Sequence, residues 1–234
     1  MIDWLQEDVP PYFPDNSLAL EEPNGLLAAG GLLSPSWLTA AYRRGVFPWF
    51  DDESPILWWT PAPRMVLKVE NFHISKSLRK AIRKTPYRFS CNLAFEEVIC
   101  QCAQTRDDDA GTWITSEMEQ AYIRLNANSI SHSVECWNEE GELVGGLYGL
   151  LINRVFYGES MFSRASNTSK LAFAHIAQYL FDAGVKLIDC QMHSDHMAQF
   201  GAEEIERKEF EILLADALSK PISIQLPVFL TWHL

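Results

Sequence analysis

GELVGGLYGLLINRVFYGESMFSRASNTSKLAFAHIAQYLFDAGVKLIDCQM, residues 141–192, decides the fold. Glu142 to Ile152 and Val155 to Phe162 are largely apolar or aromatic, and Asn153-Arg154 between them is short enough for a hairpin turn. The period then changes. Asn167, Thr168 or Ser169 can cap a helix whose apolar positions Leu171, Ala174, Ile176, Ala177, Leu180 and Phe181 recur at helical spacing, and Gly184 supplies its stop. Val185 to Met192 reads as a returning strand, and strand, helix, strand at this length is a right-handed crossover within one sheet. Alternation sets Tyr157, Glu159 and Met161 on one face of the second strand, and Leu187, Asp189 and Gln191 on one face of the third. Glu159 and Asp189 stand out, because an acid inside an apolar strand is costly to bury unpaired. Each either caps a loop or pairs with an Arg or Lys, or else lines a cleft.

Working outward, 234 residues with 47% hydrophobic content suffice for one large or two small units with a real core. MIDWLQEDVPPYFP has no basic region followed by an apolar run, and no stretch approaches the length of a membrane span, so a cytoplasmic protein is expected. Five cysteines, Cys91, Cys100, Cys102, Cys136 and Cys190, lack C-x-x-C spacing and point to buried thiols rather than a disulfide scaffold or zinc site. No metal or cofactor is expected. Alternation sends Cys190 to the face opposite Asp189, which disfavours it as a nucleophile. A net charge of -12 argues against nucleic acid, but the acids crowd the first 53 residues, Asp107-Asp108-Asp109 and the tail after Asp195. Between Lys76 and Arg88 there are six basic residues and no acid.

Ahead of that segment, Leu18 to Phe50 opens with a Gly-rich apolar turn region. Ser34-Pro35 then starts a helix striped by Trp37, Leu38, Ala41 and Tyr42 and ended by Gly45. The aromatics of FPWF and of Ile56-Leu57-Trp58-Trp59 form either a satellite core or a stacking wall. Thr60-Pro61-Ala62-Pro63 has the composition of a crossing, which predicts a boundary near residue 62, between a small unit over 1–62 and a larger one over 63–234. Beyond a short strand over Met65–Val69, Lys76, Arg79, Lys80 and Arg83 fall at helical spacing on one face with Lys84 beside them, opposite Ile74, Leu78, Ala81 and Ile82. Like charges so placed repel, and a phosphate-bearing partner would relieve them. Helices are expected over Leu93–Ala103 and from about Glu117 to Asn126, and strands over Ser131–Trp137 and Ile222–Leu226.

GLLAAGGLLSPSWLTAAYRRGVFPWF, ILWWTPAPR, HISKSL, GTWI, GGLYG, FYGESMFSR, NTSK and KLIDCQ, in this order, resemble the leucyl/phenylalanyl-tRNA-protein transferases of bacteria. The resemblance implies an α+β protein of two domains, a small N-terminal α/β domain and a C-terminal GNAT-like (acetyltransferase-like) mixed sheet with helices. It implies transfer of Leu or Phe, with Met as a further donor, from aminoacyl-tRNA to the N-terminal Arg or Lys of acceptor proteins, marking them for N-end-rule degradation by a monomer that needs no membrane. It also implies that Asp189, Gln191 and Glu159 form the catalytic group and that Trp49 and Trp113, with Tyr42, hold the 3′ adenosine. Met161 and Ile188 match pocket residues, and Leu147, Ile176 and Leu180 are expected to complete the aminoacyl pocket. Lys76, Arg79, Lys80, Arg83 and Lys84 then bind the tRNA. Leu147 stands where the family commonly has Met.

An aminoacyl ester is already activated, so positioning can supply about 7 to 11 kcal/mol of barrier reduction, and a carboxylate that orients the amine or takes its proton adds a factor of about a hundred or more. Asp189 is the expected carboxylate, as base or as orienter, with Gln191 holding the amine or the ester carbonyl and Glu159 selecting a cationic acceptor. Two rivals are a coenzyme-A-dependent N-acetyltransferase and a non-catalytic tRNA-binding module. The first should carry a glycine-rich pyrophosphate turn, and SRASNTSK has no glycine. The second has no need of three polar residues on adjoining strands.

Overall fold

The structure, a computed structural model, describes residues 2–107 and 114–232; the readings on Trp113 and on Asp108 and Asp109 lie outside them. In chain order the strands are β1 (Asp3–Leu5), β2 (Leu26–Gly30), β3 (Phe47–Pro48), β4 (Leu57–Trp59), β5 (Arg64–Lys68), β6 (Arg88–Cys91), β7 (Ser131–Trp137), β8 (Leu143–Ile152), β9 (Val155–Ser163), β10 (Leu187–Gln191), β11 (Glu203–Ile205) and β12 (Phe229–Leu230). The helices are α1 (Pro35–Tyr42), α2 (Lys76–Lys84), α3 (Phe95–Asp107), α4 (Ser116–Ala127), α5 (Thr168–Asp182), α6 (Asp195–Ala198) and α7 (Arg207–Ser219). Strands β1–β4 form a four-stranded sheet in the order β1-β2-β4-β3, and the rest form an eight-stranded sheet in the order β11-β5-β10-β9-β8-β7-β6-β12. The chain is thus a mixed α and β fold.

The central segment folds as its periodicity predicts. β8 and β9 form the antiparallel hairpin, α5 follows, and β10 returns parallel to β9. One detail differs. Asn167 does precede α5, but at φ 65° and without a side-chain bond to the helix; the hydroxyl of Ser163 accepts from Ser169 N instead. Two other expectations fail for want or excess of pairing. Leu26–Gly30, within the stretch read as a Gly-rich turn region, is a strand paired with β4, and Ile222–Leu226, flanked by prolines, forms no strand, the pairing to β6 being made by β12.

The large sheet carries α2 and α5 on one side, where Ile82, Leu171, Ile176 and Leu180 pack with Phe156 and Ile188. Its other side faces α1, α3, α4 and α7 through Tyr42, Val98, Met118, Phe210 and Tyr157. Two irregularities in this sheet create the site. Tyr148 pairs with Ser160 but Gly149 with Gly158, so Glu159 is an extra residue in β9, and a Cβ on Gly149 would run into the Tyr157 carbonyl. Alternation therefore switches there: Tyr157 and Phe162 face the same core, while Met161 packs with Phe156 on the α5 side, contrary to its expected place beside Glu159. In β10, Asp189 pairs with Val66 but Gln191 with Met65, which makes Cys190 the extra residue. β9 and β10 pair only from Val155 with Leu187 to Tyr157 with Asp189, and then part.

Candidate active site

Where β9 and β10 part, a cleft of about 460 Å³ opens between them. Because the strands separate, the cleft draws on both sides of the sheet. Leu147, Phe156, Met161, Phe173, Ile188 and Met197 line an apolar end on the α5 side. Phe47, Pro48, Trp49, Tyr148 and Glu159 line the opposite end, with Gln191 at the divide.

The polar end is a chain of hydrogen bonds. Gln191 Nε2 donates to Glu159 Oε1 at 2.8 Å, Tyr122 Oη donates to Glu159 Oε2 at 2.9 Å, and the hydroxyls of Tyr42 and Tyr122 lie 2.5 Å apart. Burial pushes the Glu159 carboxyl up to about 7; the hydroxyls of Tyr42 and Tyr122 hold it lower than burial alone would, the charge of Asp189 adds to the rise, and the bond from Gln191 subtracts from it. A carboxyl protonated in the fold up to about 7, against an ordinary value of 4.5, favours the folded state fully below pH 4.5, and that contribution is lost as pH rises towards 7. Across that window stability is expected to fall by up to about 3 kcal/mol on this account, and Glu159→Gln should flatten the slope in urea melts.

Asp189, expected as the catalytic carboxylate, pairs with an arginine instead of lining the cleft. It is fully buried, and its Oδ1 and Oδ2 accept from Arg64 Nε at 2.8 Å and Nη2 at 2.7 Å. Oδ1 also accepts from Gln191 N at 2.9 Å. Gln191 has φ 64°, a left-handed conformation that costs a residue with a Cβ roughly 1–2 kcal/mol. The ion pair and this backbone bond hold it there, so Asp189 acts on the cleft through Gln191. Cys190 does line the cleft, yet burial and the neighbouring Asp189 push its thiol far above the ordinary value, leaving no thiolate to act as nucleophile.

Of the aromatics expected at the 3′ adenosine, Trp49 is on the wall, 39% exposed, its ring edge-on to Trp59, whose Nε1 donates to the Trp49 carbonyl. Tyr42 is fully buried and lies behind Glu159. Leu147, Met161 and Ile188 line the apolar end as expected, but Ile176 and Leu180 sit behind it in the core, and Phe173, one turn earlier on α5, takes the wall position. Arg64, Tyr122, Phe173 and Met197 are site residues that the sequence reading missed. Only Arg64 had a signal, as a cation opening the strand that a buried Asp189 needs as neighbour. Lys76, Arg79, Lys80, Arg83 and Lys84 are all exposed on α2, which Ser75 caps by accepting from Leu78 N. Among the described residues none of the five makes an ion pair. Among the described residues, too, no group of three or more His, Cys, Asp or Glu side chains could hold a metal, and no helix is long and apolar enough to cross a membrane.

A family model described as "Leucyl/phenylalanyl-tRNA protein transferase" matches residues 66–215, and one for the N-terminal domain of the same family matches residues 31–62. A curated leucyl/phenylalanyl-tRNA–protein transferase of Saccharophagus degradans is 53% identical over 215 residues, covering 92% of this chain and 88% of its own. One from Cellvibrio japonicus is 48% identical over 236 aligned residues, covering 100% and 97%. Among solved structures, L-PGS from Bacillus licheniformis is a distant likeness, with a TM-score of 0.42 and 13% identity over 68% of this chain and 56% of that one.

Proposed function

Because the chain belongs to the leucyl/phenylalanyl-tRNA protein transferase family, it is an aminoacyltransferase that moves an aminoacyl group from tRNA to protein, and we propose that it delivers Leu or Phe to N-terminal Arg or Lys. The observation that carries the finer reading is the two-ended cleft, apolar at Leu147, Met161, Phe173 and Ile188 and polar at Glu159 and Gln191. The donor's side chain enters the apolar end, where one methylene is worth only about 1 to 3 kcal/mol, so Leu, Phe and Met are separated modestly. Its adenosine stacks on Trp49, a contact worth about 1 to 3 kcal/mol.

The acceptor amine, with an ordinary pKa of roughly 7.7 to 8, is oriented by Gln191 and attacks the ester carbonyl. The C–N bond forms, the ester C–O bond breaks, and the ribose 3′ oxygen leaves with a proton. Glu159, poised near 7, fits the proton-accepting part better than Asp189, whose oxygens are taken up by Arg64 and Gln191 N. Asp189 is then the orienter of Gln191. The exposed cationic face of α2 seats the tRNA, and reversing charge at Lys80 and Arg83 is expected to weaken tRNA binding and reduce the slope of log K against log salt by about 1.4 to 1.8, as filter binding across a salt series would measure.

A boundary near residue 62 separates a small N-terminal unit from a GNAT-like catalytic unit over 63–234, and the enzyme works in the cytoplasm as a monomer, without a cofactor, in N-end-rule degradation. The two family matches, over 31–62 and 66–215, support that division. The test is incubation with Leu-tRNA carrying a labelled amino acid and a peptide with N-terminal Arg. Label on the peptide's N-terminus is the expected result, and label that stays on tRNA, or moves equally to a peptide with N-terminal Asp, would refute the acceptor assignment.

A further inference from the structure

The two walls of the cleft come from distant parts of the chain, Phe47, Pro48 and Trp49 from β3 and its exit, and Cys190 and Gln191 from β10. One buried side chain braces both. Arg64, fully buried at the start of β5, lies between the ring of Phe47 at 4.8 Å and that of Phe210 at 4.7 Å. The same guanidinium grips both oxygens of Asp189, and Asp189 Oδ1 accepts from the backbone N of Gln191 in its left-handed conformation. Phe47 is itself a wall residue two positions from Trp49, so a single rigid plane touches the support of each wall.

We propose that Arg64 is a positioning residue for the transfer reaction: it keeps the Gln191 amide, which orients the acceptor amine, in register with the Phe47–Trp49 wall, which seats the donor's 3′ end. The inference rests on the assignment of the cleft made above. Its chemistry explains why the position holds arginine. A planar fork can bind a carboxylate at two points along its edge while its faces stack on two rings, and an ammonium can do only one of these at a time. Displacing either wall by about 1 Å is enough to cost roughly a hundredfold in rate.

The test compares Arg64→Lys, Phe210→Leu, Gln191→Ala and the double variant Arg64→Lys/Gln191→Ala, with rates expressed per folded molecule. Arg64→Lys keeps the charge and loses the fork; kcat is expected to fall by about tenfold or more and the KM for aminoacyl-tRNA to rise, because both walls shift. Phe210→Leu, on α7 and outside the cleft, should move both parameters the same way by less, and it decides the matter if Arg64→Lys does not fold. The loss in kcat from Arg64→Lys should be much smaller in the Gln191→Ala background than in the wild type, since the two act as a unit; a merely structural arginine would give multiplicative losses and an unchanged KM. Wild-type kcat and KM in both Arg64→Lys and Phe210→Leu, with Gln191→Ala impaired, would overturn this inference alone. An unimpaired Gln191→Ala would instead overturn the assignment of the cleft.

Discussion

Replacing Gln191 with glycine is expected to leave the protein about as stable as before, while transfer falls by about 10²–10³-fold. Three terms set the stability, one of them the bond from Gln191 Nε2 to Glu159 Oε1, whose loss costs about 0.5–1.5 kcal/mol. Gln191 sits at φ 64°, where a Cβ costs roughly 1–2 kcal/mol and glycine does not, against about 0.5–1 kcal/mol of extra backbone entropy that glycine loses on folding. The loss in rate has a separate source: the side-chain amide, fixed by its bond to Glu159, is a preorganised group aimed into the cleft. A variant at once sound in fold and poor in turnover would identify stored backbone strain as part of the site rather than as a defect. Thermal melts and single-turnover transfer, measured on the same sample, check both halves, and a Gly variant within a few-fold of wild-type rate would remove Gln191 from the chemistry.

Asp189→Ala should behave in the opposite way and fail first in stability. It leaves the Arg64 guanidinium fully buried without its carboxylate, and breaking a buried pair from one side costs about 3–5 kcal/mol. For a chain of this size that corresponds to a fall in Tm on the order of 10 °C. Loss of the Oδ1 bond to Gln191 N also frees the residue after the β10 irregularity, so turnover falls even in molecules that remain folded. Were Asp189 the proton acceptor and nothing more, Asp189→Ala would lose rate with little change in Tm. That pattern would contradict the positioning role.

The central crossover was legible because each of its elements is long and strongly periodic: β8, β9, α5 and β10 lie within a residue or two of where the spacing put them. The same is true of α1, where Ser34 accepts from Trp37 N ahead of Pro35, and of the basic face of α2. What stayed hidden depends on pairing. Alternation assumes an unbroken ladder, and the extra residues Glu159 and Cys190 break it in neighbouring strands, which sends Met161 to the α5 side and lets Cys190 reach the cleft. Gly149 and Gly158, glycines inside the two paired strands, are local hints of the irregularity in β9. Helical periodicity likewise identifies the face of α5 that turns inward, but not which turn of it meets the cleft, hence Phe173 rather than Ile176 and Leu180. Tyr122 carried no signal, and Tyr42, expected at the 3′ adenosine, lies behind Glu159 instead; the bond from Tyr122 to Glu159 and the contact between the two hydroxyls give both residues their place in the site. Leu26–Gly30 was masked by glycines whose positive φ serves the ends of the strand rather than a turn within it.

The parted strands β9 and β10 are proposed to seat the aminoacyl end of tRNA through the sheet, side chain towards α5 and adenosine towards Trp49. A crystal structure with a non-hydrolysable phenylalanyl-adenosine tests it most directly. The expected result is the phenyl ring among Leu147, Met161 and Phe173, the adenine against Trp49, and the acyl linkage within hydrogen-bonding reach of Gln191. An analogue bound with its adenine on the α5 side, or bound outside this cleft altogether, would contradict it.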